Sequence, residues 1–416
     1  MEITRRKFVG DMTLAAACGA VSLGTKQVIA ADEKDNKSAP KFDLGNHPHF
    51  VPWVDPKSGV RSYLLNERVS PLQQTFYFVN PSISADERFL WFYSAWDPAP
   101  YKTISVVSLD PKAPMIRNFP HAMPKGNPLV APEGGAIYFC MDASVYKMDI
   151  DGKLSELVRL DKEFIAGRKL NRLVSHLTMS ADGKYFLLDG GIGNHWFVGL
   201  GNIETGKVKI LKEFGRHHNH AQFSPVDPEQ FLIAQDWWHD QVSGKRFEYN
   251  KRIWLMRTTS TGIEALNPTN YVEGPPGSYG TAASHEWWSK DGKICWIDYG
   301  RGAYECDVKT RKATHVWKRP LCHGHCDSTS RFWTADQSPY GWDRVPCKIL
   351  FWDRELEKGT EIMSGMPKPP IPRRRYHLDP HPQFSPGGSY VDFTATVRGK
   401  IDVAVTPLEE IRARLS

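Results

Sequence analysis

Short apolar runs alternate with polar turns along this chain, and one arrangement of the two returns seven times. A Ser or Ala leads into a short, mostly polar turn, and an apolar run follows. The turns open SADERFLWFYS at Ser84, APEGGAIYFC at Ala131, SADGKYFLLDG at Ser180 and SPVDPEQFLIA at Ser224. They continue as SKDGKICWIDYG at Ser289, STSRFWTADQ at Ser328 and SPGGSYVDFTA at Ser385. After each comes a second apolar run closing on a polar turn, from ISVVSLDPK in the first unit to DVAVTPLEE in the last. Runs of this length, punctuated by turn residues and lacking a helical period, predict strands. Strand pairs recurring every roughly 40–65 residues predict an all-β chain, a seven-bladed β-propeller with four strands per blade. Residues 43–416 are expected to form that single domain, with RSYLL around Ser62–Leu65 completing the last blade. A two-domain β protein is the competing architecture.

The strand that leads into each Ser turn is the innermost of its blade, so its residues line the central channel. The residue four positions ahead of each anchor is Asn80, Asn127, His176, His220, His285 or His381; in the irregular sixth unit His325 and His323 fall three and five ahead. Five of seven units place a histidine there, where 15 histidines spread over 416 residues would give fewer than one. HAQFSP at His220 and HPQFSP at His381 match because they occupy the same blade position. Polar side chains at this register can also serve only to bond loop backbone. As a ring, they point to a pocket at one end of the channel.

Composition narrows the partners. The chain is 41% hydrophobic and 24% charged, with a formal charge of +6. Residues 1–30 carry four basic and two acidic residues, leaving the remainder at +4. So small and dispersed a surplus does not suit nucleic acid, and it is compatible with an acidic small substrate. No apolar run is long enough for a transmembrane helix. TRRKFVG, the mild apolar stretch MTLAAACGAVSLG and the small residues before Ala31 read as a twin-arginine export signal over 1–30, followed by a polar linker at 31–42. The mature protein is therefore expected in a periplasm or outside the cell. Cys18 leaves with the signal; the other six cysteines are too sparse for a disulfide scaffold, and Cys322 and Cys326 read as small buried residues or as a pair formed after export.

Converging neutral imidazoles with a nearby carboxylate can hold a divalent ion, and HLDPHP adds His377 and Asp379 beside His381. Histidines beside arginines can equally run acid/base chemistry on an anion. Arg172, Arg216 and the Arg373–Arg375 run are the candidate cations. His217, in the dense HHNH stretch, and His239, in DWWHD, join Asn80, Asn127, Arg172 and His325 as candidate substrate contacts. There is no nucleophile elbow, phosphate-binding loop or dinucleotide fingerprint.

HAQFSPVDP, RIWLM at Arg252–Met256, SHEWWSKDG and DPHPQFSPGG together resemble the oligogalacturonate lyases over roughly the last five blades. Those enzymes are seven-bladed propellers that cleave uronate glycans with a divalent metal, usually manganese. The resemblance implies one ion, manganese or calcium, held by His285 and by His377, Asp379 and His381. Asp379 stands where the family has the first histidine of its HPHP motif, and Tyr376 where it has a glutamine. The stretch corresponding to the family's HEGPHD reads QDWWHD, so Gln235 replaces its first histidine and only His239 remains. That departure argues against an oligogalacturonate lyase proper. In overall character the chain is similar to propellers acting on L-rhamnose-α-1,4-glucuronic acid of arabinogalactan, a group holding both lyases and α-L-rhamnosidases. In the rhamnosidases one histidine of the N-terminal segment is catalytic, a role that NHPHFVPW would give to His47. A related type dehydrates terminal glucuronate in ulvan fragments.

The resemblance implies an acidic oligosaccharide or polysaccharide as substrate. Elimination would draw its base, acid and carboxylate-neutralising group from His176, His220, Tyr376 and Arg216, or from a metal at His285 and His381. Hydrolysis would instead rest on His47, and a lectin without turnover is the reading from another class.

Overall fold

The computed structural model describes residues 42–249, 251–274, 283–337 and 346–415. The expected export signal lies outside these residues, as does the linker up to residue 41. Seven antiparallel sheets follow one another around a central channel, so the expected propeller is the fold. Blade one is built from Leu72–Gln74, Phe89–Ala95, Thr103–Ser108 and Ile116–Phe119, and blades two to six repeat that meander. Blade seven takes three strands from the C-terminal region, Gln383–Phe384, Tyr390–Ala395 and Asp402–Pro407. Its fourth is Arg61–Leu65, where Tyr63 faces Val405 and Leu64 faces Ala404, and Phe50–Val54 adds a fifth outside it. The closing strand is thus the one expected from RSYLL.

The repeated serine has a local cause. In blade three Ser180 Oγ donates to Asp182 (2.7 Å) and accepts the Tyr185 N–H (3.0 Å), while Gly183 turns at φ 73°. Ser289 and Ser385 accept from Lys293 and Tyr390 in the same way, at 3.1 Å each. A short hydroxyl side chain that satisfies turn backbone is what this corner needs. Between blades the filling is aromatic and branched aliphatic: Trp91, Phe76 and Phe139 are fully buried between blades one and two, and Trp287, Trp333 and Phe78 between five and six. The six cysteines beyond Cys18 are buried, and Cys322 and Cys326 remain thiols. No helix among the described residues is long and apolar enough to cross a membrane.

Candidate active site in the channel

Bends in two innermost strands and in the segment leading into blade seven bring histidines to one point. His220, His285, His377 and His381 all adopt left-handed backbone, at φ 53°, 52°, 53° and 49°. In blades four and five the sheet register breaks around this residue, between Asn219 and Gln222 and between Ser284 and Trp287. Each bulge turns the imidazole out of the sheet and into the channel. Neighbouring side chains hold the bend: His220 N–H donates to Ser175 Oγ (2.8 Å) and Ala221 N–H to Asp189 Oδ2 (3.2 Å).

Tyr77 occupies the centre. Its ring stacks on His176 (4.6 Å, 19°), meets His381 at 4.6 Å, and lies within 6.5 Å of His220, His285, His323 and His377. Asn127 clamps it, accepting the Tyr77 N–H (3.0 Å) and donating to the Tyr77 carbonyl (3.1 Å). Phe78 packs on His323, His381 and Trp287 and floors the site. Above Tyr77 opens a cavity of about 260 Å³ lined by Arg172, His176, His220, His377, His381 and Lys102, among others.

Two groups face each other across it. The first is His220, whose Nδ1 lies 2.9 Å from Glu286 Oε1, while Arg252 grips Glu286 Oε2 through Nε (3.0 Å). The Nδ1 proton goes to Glu286, since the Arg252 amino group 3.2 Å away has no lone pair to receive it. Burial alone would raise the Glu286 pKa, but the Arg252 charge and the His220 hydrogen bond hold it far below the usual carboxylate range. His220 is thereby oriented with Nε2 available as a base, the logic of a carboxylate–histidine pair. The second group is His323, His377, Asp379 and His381, whose ligand atoms all lie within 4.8 Å of one another.

That second group fits a metal. His323 Nδ1 is pinned by Asp336 (2.8 Å), the outer-shell carboxylate typical of a ligating imidazole, which leaves Nε2 for an ion. Neither nitrogen of the buried His381 has a hydrogen-bond partner, and burial, with His323 and His377 beside it, keeps this imidazole neutral. Three imidazoles and one carboxylate suit a first-row transition ion, whereas calcium wants an oxygen shell.

The structure redraws part of the expected site. His323 joins His377, Asp379 and His381, while His285 falls in a second possible ligand group, with Cys322 and His323, instead of the first. His285 Nδ1 bonds the Cys322 carbonyl and Nε2 lies 3.0 Å from Tyr299 Oη. Tyr376 turns away, its hydroxyl donating to the Ala99 carbonyl (2.6 Å), so it is no acid or base for the cavity. Arg216 is exposed and does not line it; Arg172 does. Asn80 is bound to the carbonyls of Pro128 (2.6 Å) and Leu177 (2.9 Å), a structural brace rather than a substrate contact.

His217 donates to the Trp237 carbonyl (3.0 Å), and His239 stands on a two-stranded hairpin, Trp238–His239 against Arg246–Phe247; neither lines the cavity. His325 belongs to the other mouth of the channel, with Val79, Trp288 and Phe384. Its Nδ1 accepts the Phe384 N–H (3.1 Å). His47 is remote from the cavity and 3% exposed, its Nδ1 accepting the His49 N–H at 3.1 Å. Burial and His49 bring its pKa down to about 4, a poor state for a catalytic acid at neutral pH. Arg375 pairs with Asp97 outside the cavity.

Sequence reading missed Tyr77, Glu286, Arg252 and Lys102. Lys102 lies 3.8 Å over the Tyr93 ring, and burial brings its pKa down to about 7.

No protein-family model and no curated protein matches the sequence. Among solved structures the chain is similar to an oligogalacturonate lyase from Vibrio parahaemolyticus, with a TM-score of 0.69 and 15% identity over 86% of this chain and 96% of that one. It is also similar to an oligogalacturonate lyase in complex with manganese, with a TM-score of 0.67, 15% identity and the same coverage. At this identity the likeness establishes the fold. The chain is a seven-bladed propeller with a histidine-lined channel site.

Proposed function

We propose that the protein is a lyase that cleaves a uronate-containing glycan by β-elimination in the channel cavity. The observation that carries this reading is one cavity lined by an oriented base, His220 on Glu286, by the cation Arg172, and by His377 and His381 of the group that includes His323 and Asp379. The solved oligogalacturonate lyases of the same fold support it.

Elimination needs a uronate carboxylate neutralised so that its C5 proton becomes acidic. Arg172 lines the cavity, makes no ion pair among the described residues, and is placed to bind that carboxylate. A divalent ion held by the four ligands would add Lewis-acid stabilisation of the same charge. His220 Nε2 takes the C5 proton, the C4–O4 bond breaks as C4=C5 forms, and the departing O4 is protonated by Tyr77. Burial holds the Tyr77 pKa well above its ordinary value, so its hydroxyl keeps a proton to give. The substrate expected from overall character is L-rhamnose-α-1,4-glucuronic acid of arabinogalactan-type glycan, reached after export by the twin-arginine route. Dehydration of a terminal glucuronate in ulvan fragments would use the same groups.

Purified protein incubated with a rhamnosyl-glucuronate oligosaccharide, with and without chelator, tests this reading. Free rhamnose should rise together with ultraviolet absorbance from the unsaturated product, and chelator should suppress both. His220→Ala should lower the rate by about 10²- to 10⁴-fold while circular dichroism is unchanged. Rhamnose without absorbance, or full activity in His220→Ala, would overturn it.

A further inference from the structure

Away from the channel, a groove of about 450 Å³ crosses the outer edge of blade six. One wall is aromatic: Trp352 and Trp317 stack at 5.9 Å and 15°, with Trp317 buried and Trp352 half-buried. Gly359 keeps the wall clear, since a Cβ there would lie 2.5 Å from the Phe351 carbonyl oxygen. The opposite wall is the Pro56–Gly59 turn, which a buried carboxylate fixes in place. Asp55 Oδ1 accepts from the N–H groups of Lys57 (3.0 Å) and Ser58 (2.9 Å), and Oδ2 accepts from Ser364 N–H (2.7 Å) and Oγ (2.8 Å) of the blade-six outer strand.

The polar groups here are cationic and incompletely used. Glu361 is already bridged by Lys57 (3.0 Å) and Lys348 (2.7 Å). Among the described residues Arg319 makes no ion pair, only a 3.4 Å contact from its amino group to Gln337 Oε1, with the Glu361 charge nearby. Its Nε is buried without an acceptor, and so is Trp352 Nε1. Buried donors are normally satisfied, and these two flank a ring face that lines open space. Lys57 and Arg319 against Glu361 leave the lining one positive charge in surplus, which suits an acceptor-rich anion with a flat, weakly polar face. A hexuronate residue has both, a carboxylate for Arg319 and a pyranose face for Trp352.

We infer that the groove between Trp352 and Arg319 is a second carbohydrate site, binding a uronate residue of a polymer and not turning it over. The ligand's chemistry follows from the groove itself; that it belongs to the polymer cut in the channel rests on the proposed function. Such a site would hold a long chain near the channel and add effective concentration without new chemistry.

The test uses the full chain carrying His220→Ala, so that no polymer is consumed, run in native gels cast with polygalacturonate or with dextran. Polygalacturonate should retard this protein and dextran should not. Adding Arg319→Gln should weaken retardation about tenfold in apparent Kd, equivalent to about 1.4 kcal/mol, and Trp352→Ala by at least as much. Should Trp352→Ala fail to fold, Arg319→Gln decides alone. Unchanged retardation in Arg319→Gln overturns the site, as does equal retardation by dextran, or loss caused by Arg172→Ala instead of Arg319→Gln. The gels register binding only, so their result stands apart from whether the channel is a lyase.

Discussion

His220 shows how much of this site rests on groups that never meet the substrate. Its backbone is left-handed and its Nδ1 is committed to Glu286. Glu286 is fully buried and would be costly as a lone charge; it is stable because Arg252, itself 3% exposed, lies against it. Arg252 in turn touches Asp236 at 3.2 Å. Removing one member of such a network leaves an uncompensated buried charge. Glu286→Ala should therefore cost about 3–5 kcal/mol, read as a shift of the urea midpoint, and the partial partner at Asp236 places the result toward the lower end. A loss below about 1 kcal/mol would mean that water or Asp236 already satisfies Arg252. His220→Ala removes one hydrogen-bond donor to Glu286 but leaves the Arg252 pair in place, and should cost clearly less.

At the scale of elements, the inner strands are scaffolds for bulges, and the loop between Gln74 and Ser82 is the element that fills the channel. That loop has no sheet partners at Tyr77, so Asn127 does the work of a neighbouring strand. Asn127→Ala would leave the buried N–H of Tyr77 unpaired, while its carbonyl would keep the Asn80 N–H (3.0 Å). The expected cost is about 1–3 kcal/mol, with turnover falling as Tyr77 loses its place against His176. If stability drops and turnover does not, Tyr77 is packing and not the acid.

These elements also show what could be read in advance. The spacing from histidine to serine was legible because turn and bulge recur in the same blade register, so the ring at His176, His220, His285 and His381 stood out. Tyr77 was not, because in blade one the loop carries the ring three residues ahead of the Asn80 register. Glu286 and Arg252 sit inside strand patterns, and nothing in an apolar run marks a charge whose partner lies on another blade. Tyr376 stands where the resembled family has a glutamine, and Arg216 stands beside the HHNH stretch, but a side chain near a left-handed histidine can face away from the channel.

For the molecule as a whole, closure is the cooperative step. A propeller with an open blade exposes an unpaired strand edge and the apolar faces on both sides of it. Here Arg61–Leu65 covers Asp402–Pro407, and the seam is fastened by Ser62 Oγ to Thr406 Oγ1 (2.7 Å), by Arg61 to Glu410 (3.1 Å) and by an ion pair from Arg68 to Asp402. Behind it Val60, Leu64, Leu72 and Ala404 join one core cluster with Phe393 and Ile401. Each such side chain contributes about 1.5–3 kcal/mol when fully buried, so losing the strand removes more than a single hydrogen-bond ladder. A chain beginning at residue 42 should keep the full-length thermal midpoint, because every contact of this seam lies within it. One beginning at residue 66 should aggregate or melt at least about 10 °C lower, since a chain this long shifts only about 2–4 °C for each kcal/mol. Equal midpoints for the two would show that the C-terminal strands close the ring without the N-terminal segment, and that the latch is dispensable to the fold that shapes the channel.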